Sequence, residues 1–305
     1  MKISRIAGFF ILLALSACSG SPVNGQGSAL VEESPFPATT VELTVIPTET
    51  PSNPVQTETA IPPSNTVAPP CLEKTGSVEQ YEILGNEQVL TGRIYTPPCY
   101  GENPDQEYPT LYLLHGSTNT DQQWDDLGID ELANELILGG EISPLIIIMP
   151  RESTWIVLPE NLFGDHLIKI LIPWVDKEYQ TLEDRHYRAI GGLSRGGNWA
   201  VRLGLLHWGL FGSLGAHSTP LFFGDQNRLP GWIESMPASK KPRIFLDIGE
   251  GDNNLPETEQ LRKTFLSYEI PHEWRLYPGL HDDIYWQAHL EEYLLWYSAG
   301  WDNTQ

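Results

Sequence analysis

The chain has 305 residues, 40% of them hydrophobic and 19% charged, enough for one large domain or two small ones. Its 40 acidic side chains against 18 basic ones give a formal net charge of −22. Such a surface repels phosphate backbones and argues against a nucleic-acid partner.

The N-terminus reads as a targeting segment. Lys2 and Arg5 make a positive start, and Ile6 to Leu15 is an apolar run of signal-peptide length, too short for a membrane-spanning helix. Leu15-Ser16-Ala17-Cys18, followed by Ser19 and Gly20, resembles a bacterial lipobox, in which the cysteine becomes the first mature residue and carries the lipid. The alternative is ordinary cleavage near Ala17 beside an incidental cysteine. Residues 1–18 are therefore expected to be a lipoprotein signal peptide, and the mature chain an extracytoplasmic lipoprotein on the cell surface or in the periplasm. Residues 19–70 are rich in Pro, Thr, Ser and Glu, with no apolar period. Burial there cannot offset the entropy of ordering, so this stretch is expected to be a disordered tether.

Cysteine usage fits an exported chain. With Cys18 lipidated, Cys71 and Cys99 are left, and two leftover thiols in an oxidising compartment usually pair. A Cys71–Cys99 disulfide closes a loop of about 29 residues, worth about 3 kcal/mol by loop entropy. Two separate thiols are the alternative.

Residues 71–305 are expected to form one domain. Tyr81 to Leu84 and Val89 to Tyr95 alternate like an antiparallel strand pair. Leu111–Leu114, Leu145–Met149, Tyr187–Ile190, Phe211–Ala216, Ile244–Leu246 and Trp274–Tyr277 are short apolar runs bounded by Gly and Pro. Runs of this kind mark strands covered on both faces. Helical periods lie between them, near Leu127–Leu138, Leu162–Tyr179 (with Pro173 inside), Gly197–His207, Glu257–Tyr268 and Ile284–Tyr297. The alternation predicts an α/β fold, a mostly parallel sheet with helices on both faces.

The chemistry centres on Gly192-Leu193-Ser194-Arg195-Gly196, which fits G-x-S-x-G, the nucleophile elbow of α/β-hydrolases. By composition alone the pattern turns up in about one chain in ten of this length. Here it follows an apolar strand and precedes a helical period, the context an elbow requires. A serine hydroxyl needs a general base near neutrality, and the chain order in this fold is Ser, acid, His. His217, His272, His281 and His289 lie downstream. His272 opens a strand and His289 sits mid-helix, whereas His281 follows a strand and the turn Pro278-Gly279-Leu280. The acid should follow an earlier strand. Asp252 lies in the loop beyond Gly249 and Gly251, with Glu250 and Asp247 as alternatives. The two expected oxyanion donors are the backbone N–H groups of Arg195 and Ser117, the latter just after His115-Gly116.

A wider set of residues resembles the esterase D and feruloyl-esterase family of α/β-hydrolases. It comprises Leu113-Leu114-His115-Gly116 with Trp124 downstream, Phe163-Gly164-Asp165, Ile172-Pro173-Trp174-Val175, Asp184-Arg185, Arg188 to Gly197, Phe211-Gly212 and Gly279-Leu280-His281. The likeness covers nearly all of residues 75–300. It implies an α/β-hydrolase fold and a triad of Ser194, Asp252 and His281. The family spans feruloyl and acetyl-xylan esterases, S-formylglutathione hydrolase, siderophore esterases and mycolyltransferases. His217 departs from the small or apolar residue expected there, and is read with Trp124, Trp155 and Trp286 as a candidate pocket wall.

The reading is a lipid-anchored serine esterase that forms an acyl-enzyme on feruloyl or acetyl esters of carbohydrates, with no metal and no organic cofactor. Its partners are an ester substrate and, through the anchor, a membrane. Acyl transfer by the same triad and a catalytically inactive binding lipoprotein are the rivals.

Overall fold

The computed structural model describes residues 74–84, 89–152 and 161–301. Cys18, the tether, Cys71 and Trp155 lie outside the described residues.

Strands β1 (Ser77–Leu84) and β2 (Val89–Thr96) pair antiparallel, and β2 pairs antiparallel with β4 (Ile146–Pro150). From β4 the sheet continues through β3 (Thr110–Leu114), β5 (Arg188–Leu193), β6 (Ser213–His217), β7 (Arg243–Gly249) and β8 (Glu273–Tyr277), all parallel. The resulting order is β1-β2-β4-β3-β5-β6-β7-β8. Each apolar run of the sequence contributes a strand; β3, β4, β5 and β6 are buried along their whole length, as strands covered on both faces are, whereas the edge strand β8 has no buried residue.

Side-chain alternation divides the core. Leu111, Leu113, Ala189, Leu193 and Phe245 point to one face, under helices α2 (Ile129–Gly139), α8 (Asp283–Ala288) and α9 (Leu290–Ser298). Tyr112, Leu114 and Ile190 point to the other, under α3 (Phe163–His166), α4 (Ile172–Glu178) and α5 (Arg195–Leu206). Leu214, Ala216, Ile244 and Leu246 extend that second face under α6 (Asp225–Glu234) and α7 (Leu255–Ser267).

The helices depart from the sequence reading in physically telling places. The period ascribed to Leu127–Leu138 is helical only from Ile129, because Gly128, with a φ of 93° that no helix interior accepts, separates α2 from a short helix α1 (Gln123–Asp126) before it. Pro173 lies just after a wide π turn, Leu167–Leu171. A proline lacks the helical N–H and its ring collides with the carbonyl a turn earlier, and a wider turn relieves both. His289 is not mid-helix, as the apolar period indicated. It is the junction between α8 and α9, with φ −113° and ψ 4°.

The β5–α5 turn has the geometry of an elbow. Ser194 sits at φ 53° and ψ −117°, a strained conformation for a residue with a side chain. The flanking glycines are required by contact. A Cβ on Gly192 would come within 2.4 Å of the Gly196 carbonyl carbon, and one on Gly196 within 2.0 Å of the Leu114 carbonyl oxygen. Only hydrogen fits at either position.

Candidate active site

Three loops at the carboxyl ends of the parallel strands converge on Ser194. The first is the elbow, held from below by the Ser194 N–H, which donates to the His217 carbonyl at 2.8 Å. The second follows β7 and carries Asp252. The third follows β8 and carries His281. The last two are zipped together: Glu250 N–H donates to the Tyr277 carbonyl at 2.7 Å, and Gly251 N–H to the Gly279 carbonyl at 2.9 Å.

His281 Nε2 lies 2.9 Å from Ser194 Oγ, and its Nδ1 lies 2.8 Å from Asp252 Oδ2. A carboxylate only accepts, so Nδ1 carries the hydrogen and the lone pair of Nε2 faces the serine hydroxyl. The Asp252 side chain is fully buried while that of His281 is 28% exposed, so the imidazole reaches a cleft and its partner does not. Burial alone would raise the Asp252 carboxyl. Hydrogen bonds from His281 and from the Asn254 N–H outweigh it and hold the pKa below the usual carboxylate range. The arrangement can draw a proton from Ser194 Oγ while the carboxylate stabilises the imidazolium that forms. The two other carboxylates considered from sequence are elsewhere: Glu250 is exposed, and Asp247 is buried in β7.

The two expected oxyanion donors flank the serine. Arg195 opens α5, so its N–H is a first-turn amide without an acceptor inside the helix. Ser117 shares a cleft of about 330 Å³ with Ser194, His281 and Trp286. Its N–H belongs to the planar Gly116–Ser117 peptide, and the direction of that plane is fixed. His115 Nδ1 lies 2.8 Å from the Gly116 carbonyl, and Asn119 N–H donates to the same oxygen at 3.3 Å. Carbonyl and N–H point oppositely in a trans peptide, so pinning the oxygen aims the Ser117 N–H. His115 Nε2 accepts from the Glu152 N–H at 2.9 Å, which requires a neutral ring. Burial lowers the His115 pKa in the same sense, against the bond to Gly116 and nearby carboxylates.

Glu152 carried no signal in the sequence. It is buried and accepts from Arg195 Nε and Nη2 at 2.7 and 2.6 Å, from Trp199 Nε1 at 3.1 Å and from Asn161 Nδ2 at 2.6 Å. The Arg195 side chain is thereby turned away from substrate duty and anchors the elbow helix. Gln123 was also unmarked, since a single amide leaves no pattern.

The proposed pocket walls fare differently. Trp286 lines the cleft, and its ring meets that of His281 edge-on at 5.0 Å. Trp124 does not line it: it is 1% exposed, in the core, with Nε1 donating to the Leu114 carbonyl at 3.1 Å. His217 does not either. Strand alternation turns it under the sheet, where it is fully buried with Nδ1 2.6 Å from Asp247 Oδ1. A larger polar cavity of about 440 Å³, beside Arg93, Asp121 and Arg151, contains none of Ser194, Asp252 or His281. Among the described residues no three His, Cys, Asp or Glu side chains stand together as metal ligands.

The sequence model of the family described as "Putative esterase" matches residues 86–297. The chain belongs to this esterase family. It is 34% identical over 230 residues to an esterase of Mycobacterium tuberculosis, covering 57% of this chain and 48% of that one. It is 29% identical over 195 residues to an endo-1,4-beta-xylanase/feruloyl esterase of Xylanibacter ruminicola, covering 60% of this chain and 26% of that one. The chain therefore spans half or less of the length of these curated relatives. Among solved structures, a ferulic acid esterase superposes with a TM-score of 0.67 at 22% identity, covering 74% of this chain and 98% of that one. An S-formylglutathione hydrolase of Staphylococcus aureus superposes at 0.62 with 16% identity, covering 74% and 100%. The fold is the α/β-hydrolase fold.

Proposed function

We propose that this esterase hydrolyses carboxylic esters through an acyl-enzyme on Ser194. The observation that carries the reading is the Ser194–His281–Asp252 chain of hydrogen bonds, 2.9 and 2.8 Å long, opening on a cleft. Ser194 Oγ attacks the ester carbonyl carbon and its proton passes to His281 Nε2. The Ser117 and Arg195 N–H groups hold the oxyanion. Collapse breaks the bond to the alcohol, which leaves with the proton from His281. Water then attacks the acyl-enzyme, gives its proton to His281, and the freed Ser194 takes it back as the acid departs.

The substrates in this reading are feruloyl or acetyl esters of carbohydrates. Its support is the relatives: one is described as a xylanase/feruloyl esterase, and solved neighbours hold sinapinate and ferulic acid. A fluorophosphonate probe followed by peptide mass spectrometry tests the mechanism, with the adduct expected on Ser194. Turnover of acetyl, feruloyl and longer-chain esters then ranks the acyl groups. A labelled enzyme that cleaves none of them would remove the substrate class.

The depressed pKa of Asp252 carries a consequence for stability. The stability this carboxylate adds is present at neutral pH and is lost only as pH drops through its lowered native value, so Asp252→Asn should narrow the difference in melting temperature between neutral and acid solution.

The lipoprotein reading is part of the proposal, supported by Leu15-Ser16-Ala17-Cys18 and the tether composition. Cys18→Ala should shift the expressed protein out of the detergent phase. The Cys71–Cys99 pairing is supported by the arithmetic of three cysteines with one lipidated.

A further inference from the structure

Gln123 is 4% exposed, and its two amide ends reach different loops of the site. Oε1 accepts the Gly116 N–H at 2.8 Å. Nε2 donates to Asp283 Oδ1 at 3.2 Å. Gly116 immediately precedes the oxyanion donor Ser117, and Asp283 stands two residues after His281, at the start of α8. One side chain therefore ties the loop that holds the oxyanion to the loop that holds the base. Other supports hold each loop without joining these two backbone segments directly: the His281 loop is also zipped to the β7 loop through the Gly251 N–H and the Gly279 carbonyl at 2.9 Å, and Gln287 Nε2 of α8 donates to the Leu127 carbonyl at 3.2 Å. His115 and Asn119 hold Gly116 from within its own loop, and Asp282 caps α8 through the Tyr285 N–H at 3.0 Å.

We propose that Gln123 is a positioning residue that fixes the distance between the Ser117 oxyanion donor and the His281 base. The proposal rests on the serine mechanism above. Both groups act on the same tetrahedral centre, one on its oxygen and one on the attacking and leaving oxygens. A shift between them weakens the transition state more than the bound ester. The bridge therefore acts on kcat.

The polarity of the bridge makes it testable by reversal. Gln123→Glu keeps an acceptor for Gly116 but sets a carboxylate against that of Asp283. Adding Asp283→Asn supplies a donor, so the introduced carboxylate accepts at both ends. In hydrolysis of p-nitrophenyl acetate, Gln123→Glu should lower kcat about 10- to 100-fold with KM within about threefold. The Gln123→Glu/Asp283→Asn pair should recover most of that loss. Asp283→Ala removes only the far, exposed end and should lower kcat about 3- to 10-fold without altering the melting curve.

A Gln123→Glu enzyme with wild-type kcat overturns the inference, and so does a folded double variant no faster than the single one. If Gln123→Glu does not fold, an Asp283→Ala enzyme with unchanged kcat overturns it instead. A change confined to KM would make Gln123 a substrate contact rather than a positioning residue, and also overturns it. The underlying mechanism fails separately, when the wild-type enzyme takes no fluorophosphonate on Ser194.

Discussion

Ser194→Ala should lower kcat/KM for a simple ester by about 10⁴- to 10⁶-fold, leaving only what the oxyanion donors and binding supply. No other group among the described residues stands in the required place. The imidazole of His281 has Ser194 Oγ at 2.9 Å on one side and Asp252 on the other, so removing the hydroxyl leaves the base without a nucleophile to activate. The fold should survive the change. Ser194 holds φ 53° because of the Gly192 and Gly196 contacts, not because of its own side chain, and alanine suffers the same backbone strain there. Its circular dichroism and melting temperature should match the parent closely. Retained turnover in a preparation of that kind would end the serine mechanism, whereas lost turnover with an unfolded spectrum would not support it.

The inner parallel strands β3 to β7 were readable because each is a short apolar run closed by Gly, Pro or a charge, and burial on both faces requires that composition. The elbow was readable for a steric reason, since the glycines are demanded by carbonyls 2.0 to 2.4 Å from any added Cβ. Helix α6 had no such signature: Pro230 lies inside it and four of its first five residues are polar, so only Leu229 and Ile233 on its buried side mark it. Trp124 and His217 were misread for a common cause. Nearness to a motif in sequence says nothing of direction, and direction is set by strand and helix phase. Strand parity held the needed signal. Leu193, His217 and Asp247 are register partners across β5, β6 and β7 and therefore share a face. A carboxylate inside Ile-Phe-Leu-Asp-Ile needs a buried donor, and the histidine one strand away is that donor. Gln123 and Glu152 could not be found this way, because their partners come from distant helices and loops whose approach only the folded chain decides.

The second large effect is expected at that buried carboxylate. Asp247 is fully buried. It accepts from Tyr285 and Tyr293 hydroxyls at 2.9 and 2.7 Å as well as from His217. Tyr293 also stacks on the His217 ring at 3.8 Å, and His217 Nε2 lies 3.2 Å from the Tyr297 hydroxyl. That last phenol lies close over Gly191 and Gly215, where any Cβ would collide with it. The network thus pins α8 and α9 to the underside of the strands that carry the elbow. Burial raises the pKa of Tyr285 and Tyr293, with the Asp247 charge adding to it, so both hydroxyls keep their hydrogens to donate. Asp247→Ala strands three buried donors at once and opens a void, and should cost about 3–5 kcal/mol. For a domain of this size that lowers the melting temperature by roughly 10 °C. Asp247→Asn should cost less, since its amide oxygen still accepts. The catalytic consequence follows from Tyr285, whose ring packs on Gly279 two residues before His281. Loosened from Asp247, that ring no longer braces the turn, so kcat in Asp247→Ala should fall even well below the new melting temperature. A melting temperature within about 2 °C of the parent would show that the tyrosines find other acceptors. A lowered melting temperature with unchanged kcat would instead confine Asp247 to holding the helices, and leave the placement of His281 to its own loop.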